Sequence, residues 1–210
     1  MKNYKFKRAL SYFIDLLIIS IIISLLSNIK AINPKYKEYR EAYTKYSEAL
    51  NEAVNSENKS LVIDKDMEKL MFEVSYYSIS FTIIEFGVIL LYFTFFPFFF
   101  GGQTIGKKIL KLRIESTNED KKPSFISYLL RALLLPMFST GLFYCVITLV
   151  GNLICLVIFK EAHFMTINKI FMMSGIIWGY ADTIYCLSRQ DNKSLHDLIT
   201  KTQVVEINSK

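Results

Sequence analysis

Residues 9 to 29 form 21 consecutive positions with one charged side chain among them, Asp15. A helix of that length rises about 31 Å, which matches a bilayer hydrocarbon core of roughly 30 Å. Taking an ionised group out of water costs several kcal/mol or more, so Asp15 must face protein or trapped water rather than lipid. The pattern recurs. Val74 to Pro97 is a second apolar block, carrying Glu85, and Ile170 to Leu187 is another, carrying Asp182. Residues 125 to 159 are apolar for longer than one span needs and are broken by Arg131 and Pro136. With 52% hydrophobic residues the chain also exceeds the soluble norm. These blocks predict an all-α, polytopic integral membrane protein with four transmembrane helices, near 9–29, 74–97, 138–159 and 170–187. Residues 125–136 become a short helix lying at the membrane surface.

The net charge of +6 is placed as a membrane protein places it rather than as a nucleic-acid binder would. Residues 1–8 carry four basic and no acidic side chains, and residues 101–125 carry six basic against three acidic. Residues 30–72 hold eight of each. By the positive-inside rule the N-terminus and the 98–125 loop are cytoplasmic, the 30–73 insertion is extracytoplasmic, and the C-terminus returns to the cytoplasm. Lys2, Lys5, Lys7 and Arg8 also resemble the start of a secretory signal, but the length of the run, its aspartate and the lack of a small-residue cleavage site favour a retained span. Cys145, Cys155 and Cys186 all lie in apolar blocks, with a count and spacing that fit packing rather than a disulfide framework or a zinc site.

Within the insertion, Asn33 is placed to cap a helix and Pro34 suits its first turn. Tyr36, Tyr39, Tyr43, Tyr46 and Leu50 recur at steps of 3 and 4, the seam of a helix packed on another. A turn near "NSENKS" and a return helix bearing Leu61, Met67, Leu70 and Met71 would complete a hairpin, continuous with the second span. No internal repeat is evident.

"GGQTIGKKIL" imitates a phosphate-binding P-loop through Gly101, Gly106 and Lys107. Lys108 stands where Ser or Thr should hold Mg²⁺, and "FFPFFF" precedes it where a buried strand is needed. The glycines instead let the chain turn sharply as it leaves the bilayer. Lys107, Lys108, Lys111 and Arg113 would then meet anionic headgroups, each worth about 1 kcal/mol near a charged surface. At the other end, Ser194 and Asp197 have the form of a capping box. His196 and Asp197 project about 100° apart on a helix, which favours a structural pair over an acid–base one.

"RALSYFID", "GGQTIGKKILKLRIE", "YLLRALLLP" and "SLHDLITKTQVV" together resemble the RDD family of bacterial membrane proteins over nearly the whole chain outside the hairpin. That resemblance implies a single membrane domain over 1–210 and marks the family charges as Arg8, Asp15, Arg131, His196 and Asp197. It maps the second aspartate to Asp197, with Asp182 competing. Lys111 and Lys201 depart from the pattern, standing where a small residue is expected, so the turns there are expected to differ. Some members have been linked to sodium/proton antiport and some eukaryotic relatives to membrane-complex assembly.

Arg8 and Asp15 share one helical stripe, about 10 Å apart. Asp15 and Asp182 lie about 9 and 8 Å inside the cytoplasmic ends of their spans, and Glu85 about 18 Å inside its own. Arg8, Arg131, Asp15 and Asp182 are therefore expected to form one inward-facing cluster. In one reading the arginines neutralise the aspartates and the cluster fixes helix packing. In the other, a carboxylate alternates between a proton and a small cation such as sodium, with Glu85 foremost because its helix holds no basic residue and Ser78, Ser80 and Thr82 stand nearby. Asp15, Glu85 and Asp182 are the coupling candidates. Transport in so narrow a bundle would call for a homo-oligomer. The alternative is a non-transporting adaptor that binds partner proteins or lipid. No nucleophile with a neighbouring base or metal-ligand spacing appears, so the chain is expected to be neither an enzyme nor a cofactor carrier. His163, alone on the short outer loop, reads as a surface residue.

Overall fold

The computed structural model describes residues 2–55, 65–118, 120–135, 142–154, 164–191 and 193–207. Helix α1, Lys2–Ser27, contributes the first apolar block. Along it Ser11, Asp15, Ile19, Ile23 and Ser27 are buried, every fourth residue, while Phe13, Leu17, Ile21 and Leu25 are exposed. A helix in a soluble protein turns its polar face outward. This one is inverted, with its one carboxylate buried beside Ser11 and its large apolar side chains Phe13, Leu17, Ile21 and Leu25 outside. Two more helices repeat the inversion. Helix α3, Lys65–Leu90, buries Thr82, Glu85 and Ile89 and exposes Ile83; helix α8, Phe164–Ser188, buries Asp182 and exposes Ile177, Ile184 and Leu187.

Two helical segments among the described residues are long and apolar enough to cross a membrane, Tyr4–Ser27 and Met67–Phe99. The second is a composite: α3 runs into a π-helical turn over Leu91–Phe95 and then into α4, Phe96–Phe99. The predicted third and fourth spans fall on α7, Leu142–Ile154, and on α8. Pro136, Cys155, His163, Leu61 and the "NSENKS" turn lie outside the described residues.

The predicted hairpin is present as α2, Tyr36–Asn55, lying along α3, which continues unbroken into the second span. Tyr39 stacks on Phe81 with ring centroids 6.5 Å apart. The seam runs through Ala42, which is buried, and leaves Tyr43 and Leu50 exposed. Asn33 does not cap α2. It is buried, donates to the Ser27 carbonyl at 3.3 Å and accepts from the Ser80 hydroxyl at 2.6 Å, so it ties the end of α1 to α3.

The layer around the start of α1 departs from a purely helical fold. Strands β1, Leu112–Ser116, and β2, Thr202–Glu206, pair antiparallel, with Ile114 opposite Val204. Leu112, Ile114 and Val204 cluster on one face with Tyr128 from α6, Phe125–Leu134, the predicted surface helix. Each strand follows a five-residue helix, α5 over Ile105–Ile109 and α9 over Leu195–Ile199. Here a repeat does exist. Thr104 and Ser194 are N-caps with nearly equal backbone angles, and 90 positions separate each pair of equivalent residues. Lys111 and Lys201 then adopt φ of 55° and 52°. The pairing of Leu112 with Glu206 and of Ser116 with Thr202 is unchanged when the two units are exchanged. The turns at the two lysines thus do not differ from a glycine turn. An unbranched side chain tolerates the left-handed region at a cost of roughly 1 kcal/mol.

Candidate functional site

Asp15 is fully buried in the middle of this layer. One oxygen, Oδ1, accepts from the Tyr92 hydroxyl at 2.6 Å and the Gly106 N–H at 2.7 Å. The other accepts from the Thr104 hydroxyl at 2.6 Å and lies 3.6 Å from the Lys107 ammonium. The π turn, where the Phe96 N–H bonds the Leu91 carbonyl, falls on the stretch that carries Tyr92. Gly106 N–H is an unpaired donor of the first turn of α5, which an anion satisfies well. Such close approach needs glycine: a Cβ at 106 would stand 2.2 Å from the Ser11 carbonyl oxygen and 2.7 Å from Asp15 Oδ1.

The other end of the layer repeats the device with the charges reversed. Asp182 of α8 accepts from the His196 N–H at 3.0 Å, as Asp15 does from Gly106 in the equivalent position of α5. The next residue is Lys107 in one unit and Asp197 in the other. Asp197 is fully buried, closes a capping box on Ser194 N–H at 3.0 Å, and receives both Arg8 of α1 and Arg131 of α6. Arg8 also donates to the Ser194 hydroxyl at 3.1 Å and Arg131 to Thr202 at 2.8 Å. Burial pushes the Asp197 carboxyl up, but Arg131, Arg8, His196 and the Ser194 N–H more than offset this and hold it well below the usual carboxylate range. The His196 ring sits 3.0 Å from Asp182 through Nδ1 and 3.6 Å from Asp197 through Nε2. Burial and then Arg131 lower its pKa.

The predicted cluster therefore exists with different pairings. Arg8 and Arg131 converge on Asp197, Asp15 is held by hydroxyls, an N–H and Lys107, and Asp182 by His196. Separation explains this, because two turns divide Arg8 from Asp15 on one helix and Arg8 meets α9 instead. The signal that could have found Lys107 as a partner is its place one residue after Gly106, at the end of a loop that must turn back onto α1.

A family model for the RDD family matches residues 5–201. The chain belongs to the RDD family. No curated protein and no solved structure matches it. In this RDD membrane protein the matched stretch contains Arg8, Asp15, Arg131, Asp182, His196 and Asp197, and the two aspartates competing for one family position share the same imidazole.

Of the residues expected to meet headgroups, Lys108, Lys111 and Arg113 are exposed. Lys107 is not: it is buried, and burial pulls its pKa down to about 8 against the pull of Asp15. It lines a half-open cavity of about 310 Å³ between the start of α1, the end of α8, α9 and α6, together with Arg8, Arg131, Asp182 and His196. Glu85 lies apart, buried on α3 and hydrogen-bonded to the Cys145 thiol of α7. Ser78 and Thr82 bond backbone carbonyls of their own helix and Ser80 bonds Asn33, so none of the three serves Glu85 in the way expected. Cys145 is a buried thiol in contact with a carboxyl, and among the described residues neither it nor Cys186 is in a disulfide.

Proposed function

We propose that this RDD protein is a multi-pass protein of the cell membrane, with α7 and α8 as its third and fourth spans, that exchanges protons for a small cation, sodium foremost, through Glu85. The supporting observation is a contrast among buried carboxylates. Asp15, Asp182 and Asp197 are each held by several fixed donors. Glu85 has a thiol for its side-chain partner and no salt bridge among the described residues. A carboxyl in that setting can bind and release a proton without breaking the packing of the layer below it. In this reading Asp15 and Asp182 hold the layer together, both termini are cytoplasmic, the working form is a homo-oligomer, and there is no enzymatic activity.

The test is sodium-driven proton flux in proteoliposomes. Wild type should acidify or alkalinise the lumen on a sodium jump, and Glu85→Gln should abolish that while keeping its thermal unfolding midpoint. Wild-type flux equal to that of empty vesicles, or full flux in Glu85→Gln, would refute the reading. The adaptor reading is favoured by one feature: α2 turns Tyr43, Leu50 and Val54 outward, away from burial. If it holds, deleting residues 36–55 should remove a co-purifying protein without altering any flux.

A further inference from the structure

The cavity has a sign that the cluster as a whole does not. Lys5, Arg8, Lys107 and Arg131 line it, whereas Asp15 and Asp197, which pair with three of these cations, do not. Asp182 also lines it, with its oxygens engaged by the His196 ring and N–H. The lining is thus mainly cationic, backed by carboxylates turned the other way.

Lys107 is the loosest of these cations. An ammonium carries three donors, and this one makes a 3.4 Å contact to Thr104 and a 3.6 Å contact to Asp15. Charge-assisted bonds close to about 2.7–2.9 Å. A buried ammonium so weakly bonded is a site for further oxygen acceptors. The rest of the lining sets apolar Ala9, Leu135 and Val204 beside the hydroxyl-bearing Ser11, Thr183 and Ser194. Leu187 both lines the cavity and is 63% exposed, so the cavity opens onto the face that α8 presents to lipid. Arg8 lies four residues inside the apolar span that begins at Tyr4, about 6 Å along the helix, the level at which phosphate gives way to acyl chain.

We propose that this cavity binds the phosphate of an anionic phospholipid, with Lys107 as its principal contact and the acyl chains leaving past Leu187. The proposal rests on the membrane reading and not on ion coupling at Glu85. Thermal unfolding of the delipidated full chain in dodecyl maltoside, titrated with phosphatidylglycerol, phosphatidylcholine or inorganic phosphate, tests it. Phosphatidylglycerol should raise the midpoint; phosphatidylcholine and inorganic phosphate at equal concentration should not. Lys107→Gln should weaken the phosphatidylglycerol response at least tenfold, while Lys121→Gln, on the exposed loop, should keep it. Equal responses to the two lipids, equal losses in the two variants, or protection by inorganic phosphate alone would overturn the lipid site. Should Lys107→Gln fail to fold, a photoactivatable phosphatidylglycerol on the wild type decides instead: adducts within residues 5–12 and 182–187 support the site, and adducts spread over 111–122 refute it.

Discussion

Gly106→Ala tests how tightly α5 is seated on α1. Helix propensity alone predicts that alanine stabilises the protein by up to about 1 kcal/mol. The structure predicts the opposite sign. The new methyl carbon would stand 2.2 Å from the Ser11 carbonyl oxygen and 2.9 Å from Asp15 Cγ, inside the 3.0 Å that real Cβ atoms keep. The atoms it would meet are a backbone carbonyl and a carboxylate pinned by three donors, so α5 must move, at a cost of about 1–3 kcal/mol for overpacking. That movement also stretches the Gly106 N–H bond to Asp15, a bond to a charged group worth about 1.5–3 kcal/mol. Set against propensity, the net loss is about 2–5 kcal/mol, or a fall in Tm of roughly 5–15 °C for a chain of this size. Circular dichroism at 222 nm during heating in detergent measures it. Gly87→Ala and Gly175→Ala supply the control, since a Cβ at either position meets nothing within 4 Å and each should hold or raise the midpoint. A Gly106→Ala protein as stable as wild type would refute the seating.

Three further outcomes follow from the same layer. Asp197→Asn leaves Arg8 and Arg131 facing each other without their shared acid, and should cost about 3–5 kcal/mol, seen as loss of the monodisperse peak on gel filtration in detergent. Lys107 has its folded pKa lowered to about 8 from 10.5, so above pH 8 the folded state sheds a proton that the unfolded state keeps. Stability should therefore rise with pH between about 8 and 10.5 by up to about 3 kcal/mol, and Lys107→Met should remove that rise in the difference between the two denaturation curves. Lys111→Gly and Lys201→Gly should each stabilise by about 0.5–1 kcal/mol by relieving a left-handed side chain, whereas Lys111→Val should destabilise; urea titration reads both.

The two long apolar helical segments, Tyr4–Ser27 and Met67–Phe99, were legible because lipid imposes a one-dimensional rule: an apolar run of sufficient length is visible without knowing its neighbours. The buried acids were legible for the same reason, since Asp15 and Asp182 stand out against hydrocarbon. Their partners were not. The donors to Asp15 come from residues 92, 104 and 106, each ordinary in its own surroundings, and only the return of the 101–107 loop onto α1 brings them together. The repeat is not legible in the sequence because equivalence here is a matter of backbone state rather than identity. Thr104 and Ser194 share a capping role, and the residues after Gly106 and His196 are a lysine and an aspartate. Five-residue strands such as "LRIES" and "TQVVE" are too short for alternation to distinguish them from a loop.

The two ends of the described chain are braided. The Tyr4 hydroxyl donates to the Val204 carbonyl, Lys7 pairs with Glu206, and Lys5 donates to the Leu187 and Arg189 carbonyls at 3.0 and 3.2 Å. Arg8 meets its acid about 190 residues downstream. The start of α1 therefore finds its partners only once residues 187–206 have been made, whereas Asp15, further along the same helix, can meet residues 92–107 well before that. During synthesis the nascent protein waits with a half-built floor, in which the Asp15 half can close before the Arg8–Asp197 half exists.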